Sequence, residues 1–105
     1  MKILILGKNS YLGKHIGAAL KNEGQDVFFL THEKILSDEK CVFSIDELED
    51  IKEKFQIIIN CAVSYGQNGE DCCDMIGANI LYPLKVLEWA AKNNVRYFIN
   101  TATSI

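Results

Sequence analysis

Residues 2–13 of this 105-residue chain read KILILGKNSYLG, and this segment is the strongest indication of the fold class. The run KILIL is continuously apolar and ends at Gly7, as expected of a strand that is buried on both faces of a parallel sheet. A helical pattern follows over residues 12–22. Its apolar side chains recur at three- and four-residue spacing, namely at Leu12, Ile16, Ala19 and Leu20. A buried strand joined to an amphipathic helix by a glycine turn predicts an α/β domain.

The rest of the chain repeats this alternation. Besides 2–6, strands are predicted at 26–31, 41–44, 56–63 and 96–101. The longest helix is predicted over 71–93, with its apolar side chains at Ile76, Ile80, Leu84, Leu87 and Ala91. Asp46 and Glu49 have the spacing of a capping box that opens a shorter helix over 46–54. The charged stretch 32–40 is expected to be a short connection with one helical turn.

Five strands joined by right-handed crossovers predict a Rossmann-like, doubly wound parallel sheet with strand order 3-2-1-4-5. Helices on both sides of that sheet make a three-layer α/β/α domain. With 49% hydrophobic and 24% charged residues and no linker, residues 1–105 are expected to form one domain.

Charge and composition narrow the function classes. A net charge of −3 gives no basic field for nucleic acid, and no apolar run approaches the ~20 residues of a membrane helix. The four cysteines show no C-x-x-C spacing, and neither His15 nor His32 completes a ligand set. We therefore expect a cytoplasmic protein with reduced thiols, without metal, nucleic acid or membrane as partners.

The turn from Gly7 to Gly13 is the first candidate site, because a parallel α/β domain binds anions between its first strand and first helix. A Walker A loop fails at Lys8 and His15, and the G-x-G-x-x-G pattern fails at Lys8 and Ser10. Two interpretations remain, a turn without ligand and a G-x-x-G-x-x-G turn whose middle glycine is replaced by Ser10. The Ser10 hydroxyl could cap the helix or donate to a phosphate oxygen.

Four segments together resemble the extended short-chain dehydrogenase/reductases, the family of nucleotide-sugar epimerases, dehydratases and ketoreductases. Residues 7–13 resemble the family's G-x-S-G-Y-I-G, and 56–63 (QIIINCAV) resemble D-V-V-I-H-x-A-A. Asn79 with 84–91 (LKVLEWAA) resembles N-x-x-G-T-x-x-L-L-E-A-A, and 100–104 (NTATS) resembles a serine and threonine cluster after the fifth strand. The resemblance runs over essentially the whole chain.

The resemblance implies a nicotinamide dinucleotide as cofactor. In that family the glycine turn holds the pyrophosphate, here at Gly7, Asn9, Ser10, Tyr11, Leu12 and Gly13. Cys61, Ala62 and Val63 would line the ribose and nicotinamide side, and Asn79 would tie the long helix to the loop beneath. Ser44 and Ile45 fall where an acidic residue of the family contacts adenine.

Cofactor choice depends on the end of the second strand. NAD-preferring members have an acidic residue there, which repels a 2′-phosphate, whereas this chain has Thr31. Lys8, His32 and Lys34 add positive or neutral groups nearby in sequence. The cofactor is therefore expected to be NAD or NADP, with NADP slightly favoured.

The family's catalytic tyrosine and lysine, four residues apart, are absent from these 105 residues. Thr101, or alternatively Thr103, would be the hydroxyl that hydrogen-bonds the substrate oxygen. The resemblance thus implies the N-terminal, dinucleotide-binding portion of a nucleotide-sugar epimerase/dehydratase or 4-keto-sugar reductase, inactive by itself. The parent enzyme would act on a nucleoside diphosphate sugar. The alternatives are a non-catalytic NAD(P)-binding sensor and an interaction domain.

A homo-oligomer is also expected. The fifth strand would be an edge of the sheet and carries Tyr97, Phe98 and Ile99, so self-association through that edge or its uncovered face is predicted.

Overall fold

The computed structural model describes residues 1–8, 10–31, 41–61 and 81–101. The strands are β1 (Lys2–Leu6), β2 (Asp26–Thr31), β3 (Val42–Ser44), β4 (Ile57–Asn60) and β5 (Tyr97–Asn100). The helices are α1 (Tyr11–Asn22), a 3-10 helix (Ile45–Asp50) and α2 (Tyr82–Lys92). All neighbouring strands are parallel and their order is β3-β2-β1-β4-β5, which confirms the predicted topology.

The sheet buries a separate apolar cluster on each face, because successive residues of a strand point to opposite sides. Ile3 and Ile5 of β1 belong to the cluster against which Ile16 and Leu20 of α1 pack. The other cluster joins the alternate residues of β1 to the 3-10 helix and α2. Its buried members are Leu4, Leu6, Leu30, Leu48, Phe55, Ile58, Tyr82, Val86, Trp89 and Ala90. The three-layer prediction is therefore confirmed.

The second helical segment differs from its prediction. A helix over 46–54 opened by Asp46 and Glu49 is wrong, since the structure has a 3-10 helix over Ile45–Asp50. The capping box consists of Ser44 and Glu47 instead: the Asp46 N–H donates to Ser44 Oγ over 3.3 Å, and the Ser44 N–H donates to Glu47 Oε1 over 3.2 Å. A serine at the end of a strand can adopt the extended conformation of an N-cap, and this explains the two-residue shift.

The buried face of α1 is also shifted from the predicted one. Leu12 and Ala19 are exposed, while Gly13 and Gly17 are buried. A Cβ on Gly17 would lie 2.8 Å from Cζ of Phe29, so the missing side chain lets the helix approach β2. The predicted face was chosen from apolar side chains, and glycine has none. It contributes to packing here because its small size allows close approach.

The predicted apolar face of the longest helix is wrong in its described part. Leu84, Leu87 and Ala91 are exposed, while Ile76 and Ile80 lie outside the described residues. The face that packs on the sheet consists of Tyr82, Val86, Trp89 and Ala90. Both faces have helical spacing, and the face with the two large aromatic rings lies in the aromatic part of the core. There Phe55 lies 5.3 Å from Phe28 and 6.3 Å from Trp89, measured between ring centroids.

Within the described ranges, no helix has the length and apolar character needed to cross a membrane.

Candidate functional site

The candidate site lies at the carboxyl edge of the sheet, around the end of β1. The chain runs from β1 to β2 and β3 on one side, and β4 and β5 lie on the other side, so the strand order reverses next to β1. Open α/β sheets bind ligands in the crevice outside such a reversal point. The residues that end or follow the five strands here are Gly7, Thr31, Ser44, Cys61 and Thr101.

The glycine turn is held together by hydrogen bonds between its own residues. Ser10 Oγ donates to the carbonyl oxygen of Gly7 over 2.8 Å and accepts from the N–H of Gly13 over 2.9 Å. Gly7 has a φ of 91°, a backbone conformation that strongly favours glycine. Of the two roles open to Ser10, the structure gives it the N-cap of α1, and its hydroxyl hydrogen points to Gly7.

Gly13 is required for the same turn. A Cβ at this position would lie 2.2 Å from the carbonyl oxygen of Gly7 and 2.8 Å from Ser10 Oγ. The first N–H groups of an α-helix have no acceptor within the helix, and here those of Tyr11 and Leu12 follow the turn directly. A tight turn with helix N–H groups at its end fits the pyrophosphate of a dinucleotide.

At the end of β2, Thr31 is half-buried and lies in register with Ser44 of β3. Ser44 is 5% exposed and serves as the N-cap of the 3-10 helix, and Ile45 is half-buried beside it. Tyr82, which no sequence motif indicated, contacts the residue that precedes Thr31. The hydroxyl of Tyr82 donates to the carbonyl oxygen of Leu30 over 3.0 Å, in the core.

The ends of β4 and β5 are joined by side-chain hydrogen bonds. Asn60 Nδ2 donates to Asn100 Oδ1 over 2.7 Å, and Thr101 Oγ1 donates to the carbonyl oxygen of Asn60 over 2.6 Å. The hydroxyl hydrogen of Thr101, the predicted substrate-binding group, is thus directed at the backbone. With its hydrogen donated to Asn60, the Thr101 hydroxyl can still accept a hydrogen bond from a ligand through its oxygen.

Cys61 follows β4 and is 3% exposed, and its N–H donates to the carbonyl oxygen of Leu6 over 2.9 Å. Burial raises the pKa of its thiol, so the neutral form dominates at physiological pH. This residue therefore offers an uncharged, apolar wall between β1 and β4.

Several predicted site residues lie outside the described part of the chain. They are Asn9, Ala62, Val63, Asn79 and Thr103, together with His32 and Lys34. Gly7, Ser10, Tyr11, Leu12 and Gly13 are brought together in one turn. Thr31, Cys61 and Thr101 lie at the ends of β2, β4 and β5 on the same edge of the sheet, with β1 between β2 and β4.

Comparison with known proteins identifies the family. Residues 3–105 match the model of the NAD dependent epimerase/dehydratase family, and the chain belongs to that family. It is 28% identical over 110 residues to CDP-abequose synthase of Salmonella typhimurium, an alignment that covers 94% of this chain. The chain spans only 37% of the length of that synthase.

Solved structures show the same fold. UDP-glucose 4-epimerase of Thermotoga maritima, solved with UDP-glucose, matches with a TM-score of 0.79 and 20% identity over 98% of this chain and 38% of the epimerase. A Bordetella bronchiseptica enzyme in complex with NAD and UDP matches with a TM-score of 0.73 and 19% identity, over 93% of this chain and 36% of that enzyme.

Proposed function

We propose that residues 1–105 are the NAD(P)-binding, N-terminal portion of a nucleotide-sugar epimerase/dehydratase or 4-keto-sugar reductase. The observation that carries the proposal is the turn from Gly7 to Gly13, which ends β1 at the reversal of strand order in a chain of this family. The nucleoside diphosphate sugars bound by structural relatives suggest the same substrate class for the parent enzyme.

In this proposal the chain's own groups hold and orient the dinucleotide, whose nicotinamide exchanges a hydride with the sugar. The backbone from Asn9 to Leu12 receives the pyrophosphate. Gly7 and Gly13 keep the turn narrow enough for that approach. Cys61, Ala62 and Val63 form an uncharged wall beside the ribose and the nicotinamide. Asn79 supports the loop that follows β4.

The proton that accompanies the hydride needs a tyrosine and a lysine that this chain lacks. The residues four places after Tyr11, Tyr65, Tyr82 and Tyr97 are His15, Gly69, Val86 and Thr101. The 105-residue chain is therefore expected to bind dinucleotide without turning over a sugar substrate. Thr101, with Thr103 as the alternative, contributes the hydroxyl that contacts the substrate oxygen.

NADP is slightly preferred over NAD. A carboxylate at the end of β2 would bind the two ribose hydroxyls and repel a 2′-phosphate, and Thr31 has no charge. Lys8, in the turn after the neighbouring strand, adds a positive charge. Ser44 and Ile45, on the far side of Thr31, form the border of the adenine pocket, and the carboxylate of Glu47 lies beside them on the Ser44 N–H.

The parent enzyme is a homo-oligomer in this proposal, and α2 offers the surface. Leu81, Leu84 and Leu87 are 60%, 49% and 44% exposed. Exposed Lys85 and Glu88 lie along the same flank of this leucine stripe. In an antiparallel pair of α2 helices related by a twofold axis, Lys85 of each copy meets Glu88 of the other, and this favours a second copy of the chain as occupant.

The test is a calorimetric and thermal-shift titration of the chain with NAD and NADP. A ligand that binds only the folded state raises the Tm by mass action. Gly13→Ala is expected to weaken both dinucleotides at least tenfold, because its Cβ displaces the carbonyl of Gly7. Gly17→Ala is the matched control, since it disturbs the packing of α1 on Phe29 and leaves the turn unchanged.

Specificity is tested by Thr31→Asp, which is expected to lower NADP affinity at least tenfold and to leave NAD affinity unchanged or improved. Thr31→Val removes the hydroxyl without adding charge and serves as its control. If neither dinucleotide raises the Tm of the unmodified chain at millimolar concentration, the proposal fails and the interaction-domain alternative is favoured. A complete parent chain that binds NAD(P) and still lacks the tyrosine–lysine pair would favour the sensor.

A further inference from the structure

A buried hydroxyl connects α2 with the end of β2. Tyr82 lies in the first turn of α2 and is 8% exposed, and its hydroxyl donates to the carbonyl oxygen of Leu30, 52 residues earlier in the chain. Leu30 is completely buried and immediately precedes Thr31. The helix that follows β4 therefore contacts the strand on the opposite side of β1.

The end of β2 has limited support from the sheet itself. The pairing of β1 with β2 ends at Leu6 and Leu30, one residue before Thr31. On its other side, β2 pairs with β3 over three residues, from Phe29 to Thr31. A hydrogen bond to the carbonyl of Leu30 thus holds the backbone at the point where Thr31 leaves the pairing with β1.

The hydroxyl of Tyr82 remains a donor throughout the physiological range. Burial raises the pKa of the phenol well above its ordinary value, so it stays neutral and keeps its hydrogen. Its ring packs in the aromatic side of the core with Leu6 and Leu30.

The sequence of this chain departs from the family pattern here. In N-x-x-G-T-x-x-L-L-E-A-A, aligned on Asn79, glycine and threonine occupy the positions of Tyr82 and Pro83. Neither residue of that pattern carries a phenol, so the bond to Leu30 is a feature of this chain and not of the motif.

We propose that Tyr82 is a positioning residue for the adenosine end of the site. Its hydroxyl fixes the carboxyl end of β2 and thereby sets how Thr31 receives the ribose with or without a 2′-phosphate. This inference rests on the proposed dinucleotide binding and adds a residue that controls the choice between NAD and NADP.

The test compares the Kd values of NADP and NAD for the unmodified chain and for Tyr82→Phe. This substitution removes only the hydroxyl and keeps the ring in the core. The expected result is a change of at least threefold in the ratio of the two Kd values. A general loss of stability lowers both affinities together and leaves the ratio unchanged. Tyr97→Phe, at a tyrosine that is 58% exposed, is the matched control and should keep the ratio of the unmodified chain.

A conservative variant completes the test. Incorporation of 3-fluorotyrosine at position 82 keeps the hydroxyl donor and is expected to bring the ratio back towards that of the unmodified chain, because one fluorine alters the donor less than loss of the hydroxyl does. Should Tyr82→Phe not fold, 3,5-difluorotyrosine at position 82, which alters the donor strength, takes its place and is expected to shift the ratio. A ratio within twofold of the unmodified chain overturns the role of Tyr82 alone. Failure of the unmodified chain to bind either dinucleotide overturns this inference together with the proposed function.

Discussion

The turn after β1 and the end of β2 lie side by side at the carboxyl edge of the sheet, and they are held in different ways. Ser10 bonds to Gly7 and Gly13, each three residues away. The end of β2 pairs with β3 and is also bonded by Tyr82, which follows Leu30 by 52 residues. The first region is therefore set by a short sequence motif. The end of β2 depends in part on the correct packing of α2. Substitutions that destabilise the core are therefore expected to disturb the end of β2 as well.

Replacing Gly13 by alanine is expected to have the largest effect on the turn. The added Cβ would lie 2.2 Å from the Gly7 carbonyl oxygen, so the backbone must move. We expect the free energy of unfolding to fall by about 3 kcal/mol, the upper range for overpacking. Chemical denaturation measures this change.

Gly17→Ala again serves as the control, because it meets the edge of the Phe29 ring instead of backbone and also gains helix propensity. Gly17→Ala should therefore lower the free energy of unfolding clearly less than Gly13→Ala does. Equal losses for the two variants would contradict the special role of the turn.

The second-largest expected effect is a fall in the free energy of unfolding at high pH, caused by the buried Tyr82 and Cys61. The pKa values of Tyr82 and Cys61 are raised by burial above 10.0 and 9.0, so the folded state keeps both protons while the unfolded state loses them. The stabilisation is therefore complete below pH 9 and declines above it. Between the unfolded and the folded pKa of each group, the free energy of unfolding declines by about 1.4 kcal/mol per pH unit, and the decline stops above the folded pKa.

Denaturation curves between pH 7 and pH 11 measure this decline. Tyr82→Phe should reduce the slope above pH 10. A free energy of unfolding that stays constant to pH 11 would show that these groups titrate alike in both states.

Ser10→Ala sharpens the comparison because it separates the two roles that the sequence left open. Loss of the N-cap is expected to cost about 1 kcal/mol of stability. Because the hydroxyl hydrogen points to Gly7, NADP affinity should fall less than threefold. A tenfold loss of affinity at unchanged Tm would instead indicate a direct phosphate contact.

The smallest effect on stability is expected at the leucine stripe of α2. The double substitution Leu84→Glu and Leu87→Glu replaces exposed side chains, so it should change the free energy of unfolding by no more than about 0.5 kcal/mol. In light scattering at high concentration, it should convert a self-associated chain into a monomer.

A matched substitution at the edge strand, Tyr97→Glu with Ile99→Glu, distinguishes the two surfaces. Both side chains are exposed, whereas Phe98 packs partly against the core. If only this variant becomes monomeric, the predicted self-association occurs through β5 and not through α2.

Sequence patterns predicted the strands well because a buried parallel strand is marked by several consecutive apolar residues. The prediction of β2 over 26–31 agrees with Asp26–Thr31, and β1 agrees with Lys2–Leu6. The ends of β4 and β5 were less accurate. Gln56 and Cys61 were predicted in β4, and Arg96 and Thr101 in β5, but they lie outside Ile57–Asn60 and Tyr97–Asn100, because the last paired residue depends on the neighbouring strand.

The helix faces were harder to predict, as α2 illustrates. Its sequence has apolar residues on two opposite faces, and spacing alone gives both the same weight. The aromatic cluster of Phe28, Phe55 and Trp89 decides which face is buried, and it forms only when β2, the segment before β4 and α2 meet. In α1 the buried glycines carried no hydrophobic signal, although their size determines the helix–sheet distance.

The α/β class, the strand order and the glycine turn could be predicted from the sequence, since these follow from apolar periodicity, connection length and residues within three positions of one another. The sequence also carried the resemblance that the family match confirmed. The tertiary structure was needed to show that Ser44 with Glu47 caps the 3-10 helix, which face of α2 is buried, and that the Tyr82 hydroxyl bonds to the carbonyl of Leu30. Tyr82 and the aromatic cluster depend on contacts between residues far apart in the chain, which no local pattern contains. The cap on Ser44 is local, but it formed only because β3 ends at that residue.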